Sequence, residues 1–343
     1  MSLETALGKV TWNRFGEFSL NDEAHDYVAR SMNLAPETYC TPQLLRQARK
    51  GGYGNWVDET LEKIASSYKP LTSEERFVVA DEIKNEHARY QAAYYALKLS
   101  RKQRWELVQR IKDERLRYEA TLGVPKLSRK QQWELVRRIK DEEWCYQAAC
   151  YAPKLSREER WELVRRIQNE EWCYKAACNV PRLTREQQFR LVRRIKDDEL
   201  RYLAACNAPK LSREQRWELM RRIEDGESRY EAACNVPKLR GEQRFKLVQG
   251  IQNEELRYEA ICDAPKLTGK QCFELVRGIE DEELRCDAAC TMPKLSREQR
   301  FKLVQSIRNK KLRYSAAEGL PDPTPNQIAE LRGERMELPF PPR

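Results

Sequence analysis

Paired arginines are the most frequent groups in this chain able to do recognition chemistry. Gln109-Arg110, Arg137-Arg138, Arg165-Arg166, Arg193-Arg194 and Arg221-Arg222 recur at a spacing of 28 residues. A guanidinium fork binds carboxylate or phosphate through parallel N–H donors. Arg110, Arg137, Arg138, Arg165, Arg166, Arg193, Arg194, Arg221 and Arg222 are therefore the candidate partner contacts. A second arginine recurs in the same copies, at Arg101, Arg129, Arg157, Arg185 and Arg213. Both positions become glycine together in two later copies, at Gly241 with Gly250 and Gly269 with Gly278. Either these two copies share a duplication, or a basic ridge ends before them. Glutamates of the following helix are the expected internal partners of the arginines, in a solvated ion-pair net of little energy.

Other chemistry finds less support. Only two histidines are present, His25 and His87, and no nucleophile-elbow, zinc or phosphate-loop pattern accompanies them. Gly51-Gly52-Tyr53-Gly54 lacks the Lys-Ser/Thr of a phosphate loop and reads as a turn. Six of the 11 cysteines (Cys150, Cys178, Cys206, Cys234, Cys262 and Cys290) fall one repeat apart. Thiolate–metal bonds are about 2.3 Å, far shorter than the spacing between repeats, so this file reads as a packing surface of reduced thiols. Neither a catalytic site nor a metal or cofactor is expected.

The arginines must be positioned by a tandem repeat. Eight close copies start at Lys98, Lys126, Lys154, Arg182, Lys210, Lys238, Lys266 and Lys294. A diverged copy precedes them from Pro70 to Leu97, and a half copy follows Asp322. Each close copy opens on Lys-Leu-Ser/Thr or a variant of it, with Gln or Glu three residues after the Ser/Thr, as in Ser128 with Gln131. That pattern is a capping box. An apolar set follows at helical spacing (Trp133, Leu135, Val136 and Ile139 in the second copy). Every copy then carries Asp or Asn at one place: Asn85, Asp113, Asp141, Asn169, Asp197, Asp225, Asn253, Asp281 and Asn309. Arg and Lys precede it and Glu follows it. This is the sign order of one helix C-terminus meeting a second N-terminus. The second helix ends at Pro125, Pro153, Pro181 or Pro209. The rival arrangement is one long helix per copy. Trp105, Trp133, Trp161, Phe189, Trp217, Phe245, Phe273 and Phe301 share a position in the apolar stripe and are expected in the core. Trp144 and Trp172 replace a leucine and are expected to enlarge a local pocket.

Two such helices cannot bury their apolar faces alone, so copies must stack. The sequence predicts an all-α protein, a right-handed α-solenoid of tandem 28-residue two-helix repeats with an N-terminal helical cap. Residues 1–69 form the cap, 70–321 the nine repeats, and 322–343 a half-repeat cap and tail. The architecture resembles α-solenoids such as tetratricopeptide, pentatricopeptide or HEAT arrays, although no signature of those families is matched. Charged residues make up 34% of the chain and the net charge is +10, which favours acidic partners. The expected function is a non-enzymatic scaffold or adaptor that holds an acidic peptide or protein along the concave face of the first five repeats. The alternative is single-stranded nucleic acid, RNA above all, on the arginine ridge. No signal peptide or membrane-spanning segment is expected, and reduced cysteines suit the cytoplasm.

Overall fold

The computed structural model of the chain describes residues 2–11, 14, 29–30, 35, 38, 40–321 and 323–332. Trp12, Phe15, Phe18, His25 and the prolines of the tail lie outside the described residues. Among those described, every regular element is a helix: α1 (Leu3–Leu7), α2 (Pro42–Lys50), α3 (Gly54–Ser67), nine pairs (α4–α21), and α22 (Pro325–Arg332). The leading pair is Ser73–Asp81 with Glu86–Tyr95. The eight close repeats follow as Arg101–Val108 with Glu114–Gly123, Arg129–Val136 with Glu142–Tyr151, Arg157–Val164 with Glu170–Asn179, and Arg185–Val192 with Asp198–Asn207. Then come Arg213–Met220 with Gly226–Asn235, Gly241–Gln249 with Glu254–Asp263, Gly269–Arg277 with Glu282–Thr291, and Arg297–Gln305 with Lys310–Gly319. The first helix of each pair is called A and the second B. The chain is a tandem two-helix repeat, and a single helix per copy is excluded. It divides into two compact units, Met1–Trp172 with Asn179–Leu183, and Cys173–Cys178 with Thr184–Arg343.

Side-chain caps define the period. The Asx residue of every copy accepts a hydrogen bond from the backbone N–H three residues on, for example Asp141 from Trp144 at 3.1 Å and Asp197 from Leu200 at 2.7 Å. Helix A starts on a reciprocal box in which Ser128 Oγ accepts from Gln131 N–H and the Gln131 amide accepts from Ser128 N–H. Arg240 stands where other copies have Ser or Thr, so only the Gln243 half of that box remains, at 2.9 Å. Helix B ends as anticipated on an extended residue. The turn beyond it uses a left-handed lysine or arginine that the sequence did not announce: Lys98, Lys126, Arg182, Lys238 and Lys266 have φ of 66–68°.

The core is made of small repeated sets. In the third repeat Leu163, Val164, Ile167, Ala176 and Ala177 are fully buried. The aromatic position behaves differently from expectation. Only Phe189 is buried, and Trp105, Trp133, Trp161, Trp217, Phe245, Phe273 and Phe301 are half-buried. Helix A has just over two turns, so its deepest stripe is filled by Leu, Val and the residue just before the aromatic, and Trp133 lines a groove between the second and third repeats. Trp144 and Trp172 stack on Tyr118 and Tyr146 of the preceding repeat, with centroids 5.3 and 5.2 Å apart.

The N-terminal unit begins with more repeat-like structure than its sequence suggests. Asp58 on α3 accepts from Asn85 N–H at 2.6 Å, and Arg76 donates to the Ala65 and Tyr68 carbonyls at 2.7 Å. Both bonds recur between true repeats, so α3 occupies the place of a helix B. At the other end α22 starts on Thr324 with Gln327 in the same reciprocal box, as a helix A would.

Candidate functional site

Three sets of charged residues recur through the repeats: one buried, one half-buried at the junctions between repeats, and one exposed. The innermost is an arginine immediately before the aromatic of helix A: Arg76, Arg104, Arg160, Arg216, Arg244 and Arg300, all buried. Each reaches the carbonyls at the C-terminus of the preceding helix B. Arg104 donates to Tyr94 O at 3.1 Å, Ala96 O at 2.8 Å and Leu99 O at 3.3 Å, and also to Ala93 O. Arg160 repeats the pattern on Cys150, Ala152 and Leu155. The last carbonyls of a helix lack intrahelical partners, and a following proline supplies no N–H, so a guanidinium there meets several acceptors at once. Burial holds the guanidinium groups of Arg76, Arg104, Arg160, Arg216 and Arg244 below their usual pKa. This set was missed from sequence, where a charged residue beside a tryptophan reads as the edge of a solvated face. The signal was its constancy: Arg in six copies, and Gln132, Gln188 and Cys272 in the others.

The second set joins neighbouring repeats. The first carboxylate of helix B accepts from two consecutive backbone N–H groups in the next repeat, at the turn between its helices. Glu86, Glu114, Glu142, Asp198, Glu254 and Glu282 all do this, at 2.6–3.0 Å. Those two amides hold Glu282 below the usual carboxylate pKa. In the fifth repeat this residue is Gly226. An arginine further along helix B, such as Arg117 or Arg257, caps the C-terminal turn of helix A from the same copy and the next. In the second and third repeats that arginine is Cys145 or Cys173. Burial pushes the Cys145 thiol up to about 11.

The third set is the pair anticipated from sequence. Arg110, Arg137, Arg138, Arg165, Arg166, Arg193, Arg194, Arg221 and Arg222 are all exposed. Where glutamates of helix B were the expected partners, Arg110, Arg137, Arg165 and Arg166 pair with carboxylates of helix A, and the first carboxylate of helix B, such as Glu142, accepts from backbone amides. Arg137 meets Glu134 at 2.9 Å, Arg165 and Arg166 meet Glu162 at 2.7 and 3.0 Å, and Arg110 meets Asp81 at 2.6 Å. Within the C-terminal unit, Glu218 lies 3.2 Å from Arg222 and 3.7 Å from Arg193. The two arginines of a pair are not equivalent. Arg138 donates to Gln109 O at 3.3 Å and Arg166 to Arg137 O at 3.0 Å, so the second member helps dock one helix A on the last. The first member of the second repeat's pair, Arg137, bonds to the Glu134 carboxylate. In the fourth repeat Arg190 takes the place of the helix A glutamate and pairs with Glu186 at 3.2 Å. That substitution was visible in the sequence and overlooked.

In the N-terminal unit these groups line a furrow of about 570 Å³ between the second and third repeats. Its walls are Trp133, Arg137, Arg138, Glu158, Glu159, Glu162 and Arg166. The half-exposed indole lies on the floor with guanidinium groups along the rim. Glu159 is already engaged by its capping box and by Arg129 at 3.1 Å. Burial of the Glu162 carboxyl is outweighed by bonds from Arg166 and Arg165, which lower its pKa.

The first glycine of each pair has a structural reason. A Cβ at Gly241 or Gly269 would collide with the carbonyl oxygen of Lys266 or Lys294 in the next repeat. In the fourth and fifth repeats that carbonyl is instead met by the side chain of Arg185 at 3.1 Å or Arg213 at 2.9 Å. The sixth and seventh repeats exchange an arginine contact for close backbone approach.

All 11 cysteines are free thiols. Among the described residues no group of three metal-binding side chains converges, and no helix is long and apolar enough to cross a membrane. Compared with known proteins, the chain matches no family model and no curated protein sequence.

Proposed function

We propose that the protein is a non-enzymatic scaffold whose helix A surface binds an acidic peptide or an acidic protein face. The observation that carries this reading is exposed Arg137, which lines the furrow with half-buried Trp133 and pairs with half-buried Glu134 at 2.9 Å. A guanidinium has five N–H donors, and an exposed ion pair contributes about 0–1 kcal/mol. Giving up Glu134 or Glu162 for a carboxylate from a partner therefore costs little. The indole adds apolar area at the centre of the contact, where tryptophan and arginine often dominate binding. Glutamates between the arginines favour a carboxylate partner, which can bridge selected guanidinium groups, over a polyphosphate backbone, which must pass all of them.

The test is a display library of Asp/Glu-rich peptides carrying one apolar residue, screened beside a mixed-sequence single-stranded RNA. Peptide binding is expected, and Arg137→Glu with Arg165→Glu abolishes it while circular dichroism stays unchanged. RNA binding that survives near 0.15 M salt and is lost in the same double variant would replace this reading with nucleic-acid recognition.

A further inference from the structure

The seventh repeat departs from the buried-arginine rule, and the consequence is a cavity. Arg216, Arg244 and Arg300 each place a guanidinium on the C-terminal carbonyls of the preceding helix B. Arg244 bonds Cys234 O at 3.1 Å, Val236 O at 3.0 Å and Ala233 O. In the seventh repeat this residue is Cys272, itself buried. The matching acceptors are the carbonyls of Ile261, Cys262 and Ala264. Lys294 reaches one of them, donating to Ala264 O at 3.2 Å, and the carbonyls of Ile261 and Cys262 receive no side-chain donor.

A cavity of about 230 Å³ lies here, lined by Ile261, Cys262, Cys272, Thr291, Met292, Pro293 and Lys294. It is smaller than the roughly 300–1,000 Å³ of ordinary ligand pockets, and suits one side-chain head better than a metabolite. Its acceptors occupy the repeat positions that an arginine binds in other copies, its lining is largely apolar like the alkyl neck of that side chain, and exposed Cys262 stands at its edge. Helix-terminal carbonyls favour a cation. Asp263 and Glu259 bear on the Cys262 site together with Lys294, so the lysine is not the only charge there.

We propose that this cavity is a binding site for the guanidinium group of an arginine side chain presented by another polypeptide. The guest takes the place that the chain's own arginine fills in six repeats. Gln132 shows that a planar N–H donor other than the chain's own arginine serves the same acceptors, since its amide donates to Thr121 O at 3.0 Å in the equivalent position.

The experiment uses the full chain and N-acetylarginine amide as the probe. Alkylation of Cys262 is followed by peptide mass spectrometry, with Cys234, beside filled Arg244, as the internal control. Near saturation the probe is expected to slow Cys262 alkylation about threefold or more, to leave Cys234 unchanged, and to act more strongly than N-acetyllysine amide. Cys272→Arg fills the site from within, raises the melting temperature and removes the protection. Cys272→Gln, a smaller change, weakens the protection if the arginine variant folds poorly. Equal protection by the lysine compound, no protection at all, or protection that persists in a folded Cys272→Arg protein would overturn the proposal.

Discussion

Truncating Leu163 and truncating Trp161 test the same helix at two depths. Leu163 is fully buried, so Leu163→Ala is expected to cost about 2–5 kcal/mol through lost burial and a cavity. Trp161 is only half-buried, and its replacement by alanine is expected to cost roughly 1–3 kcal/mol, in proportion to the smaller area removed from water. Chemical denaturation of the two variants checks the order. A larger loss for Trp161 would mean that the indole, and not the Leu-Val pair, anchors the repeat. The same distinction separates the arginines. Arg160→Met keeps volume but strips the Cys150, Ala152 and Leu155 carbonyls of their donor. It is expected to cost about 2–4 kcal/mol, since bonds to a charged group and orphaned buried acceptors both count. Exposed Arg165→Ala is expected to stay within about 0.5 kcal/mol in the same measurement.

At the scale of elements, helices shorter than about 12 residues are marginal on their own, so these persist through what each neighbour supplies. One helix B carboxylate holds two amides of the following turn, and one helix A guanidinium holds the end of the preceding helix B. Both devices act between elements, so pH reaches the packing through the first. The Glu282 carboxyl has a lowered pKa because the amides of Arg308 and Asn309 stabilise its charge. Its contribution is fully present above the unfolded value of about 4.3 and is lost as pH falls through the lower folded value. The stability difference between the native chain and Glu282→Gln should therefore be constant above about pH 5.5 and shrink progressively below it. A difference that grows on acidification would rule out the amide contact.

Across the whole molecule, each repeat depends mainly on its neighbours, as in other repeat proteins. Stability is then set by the weakest junction. Gly226 lacks the carboxylate that Asp198 supplies one repeat earlier and Glu254 one repeat later. A Cβ there meets only ordinary contacts, with Leu256 at 3.5 Å and Ile251 at 3.9 Å. Gly226→Glu should stabilise the chain by about 1 kcal/mol or more, from helix propensity and the restored contact. In native-state hydrogen exchange, the amides of Gln252 and Asn253 should exchange faster than those of Glu280 and Asp281, and the substitution should slow them. Equal exchange in the two places would show that this junction is not the weak one.

The local plan of the repeat was legible because its causes are local. A capping Ser or Asx must lie within three residues of the amide it satisfies, and proline beyond the first turn ends a helix, so Ser128, Asp141 and Pro153 mark helix limits in the sequence alone. The exposure of the arginine pairs was legible for a similar reason, since they fall at the end of the apolar stripe. What each charged side chain bonds to was not. Glu142 reaches 26 and 27 residues ahead and Arg160 up to 11 behind, to backbone groups whose availability depends on how two helices pack. The half-buried place of Trp161, the collision that keeps Gly241 a glycine, and the cavity beside Cys272 belong to the same class. Each is a matter of volume and unpaired carbonyls between neighbouring repeats, and only the packed structure brings those volumes and carbonyls together.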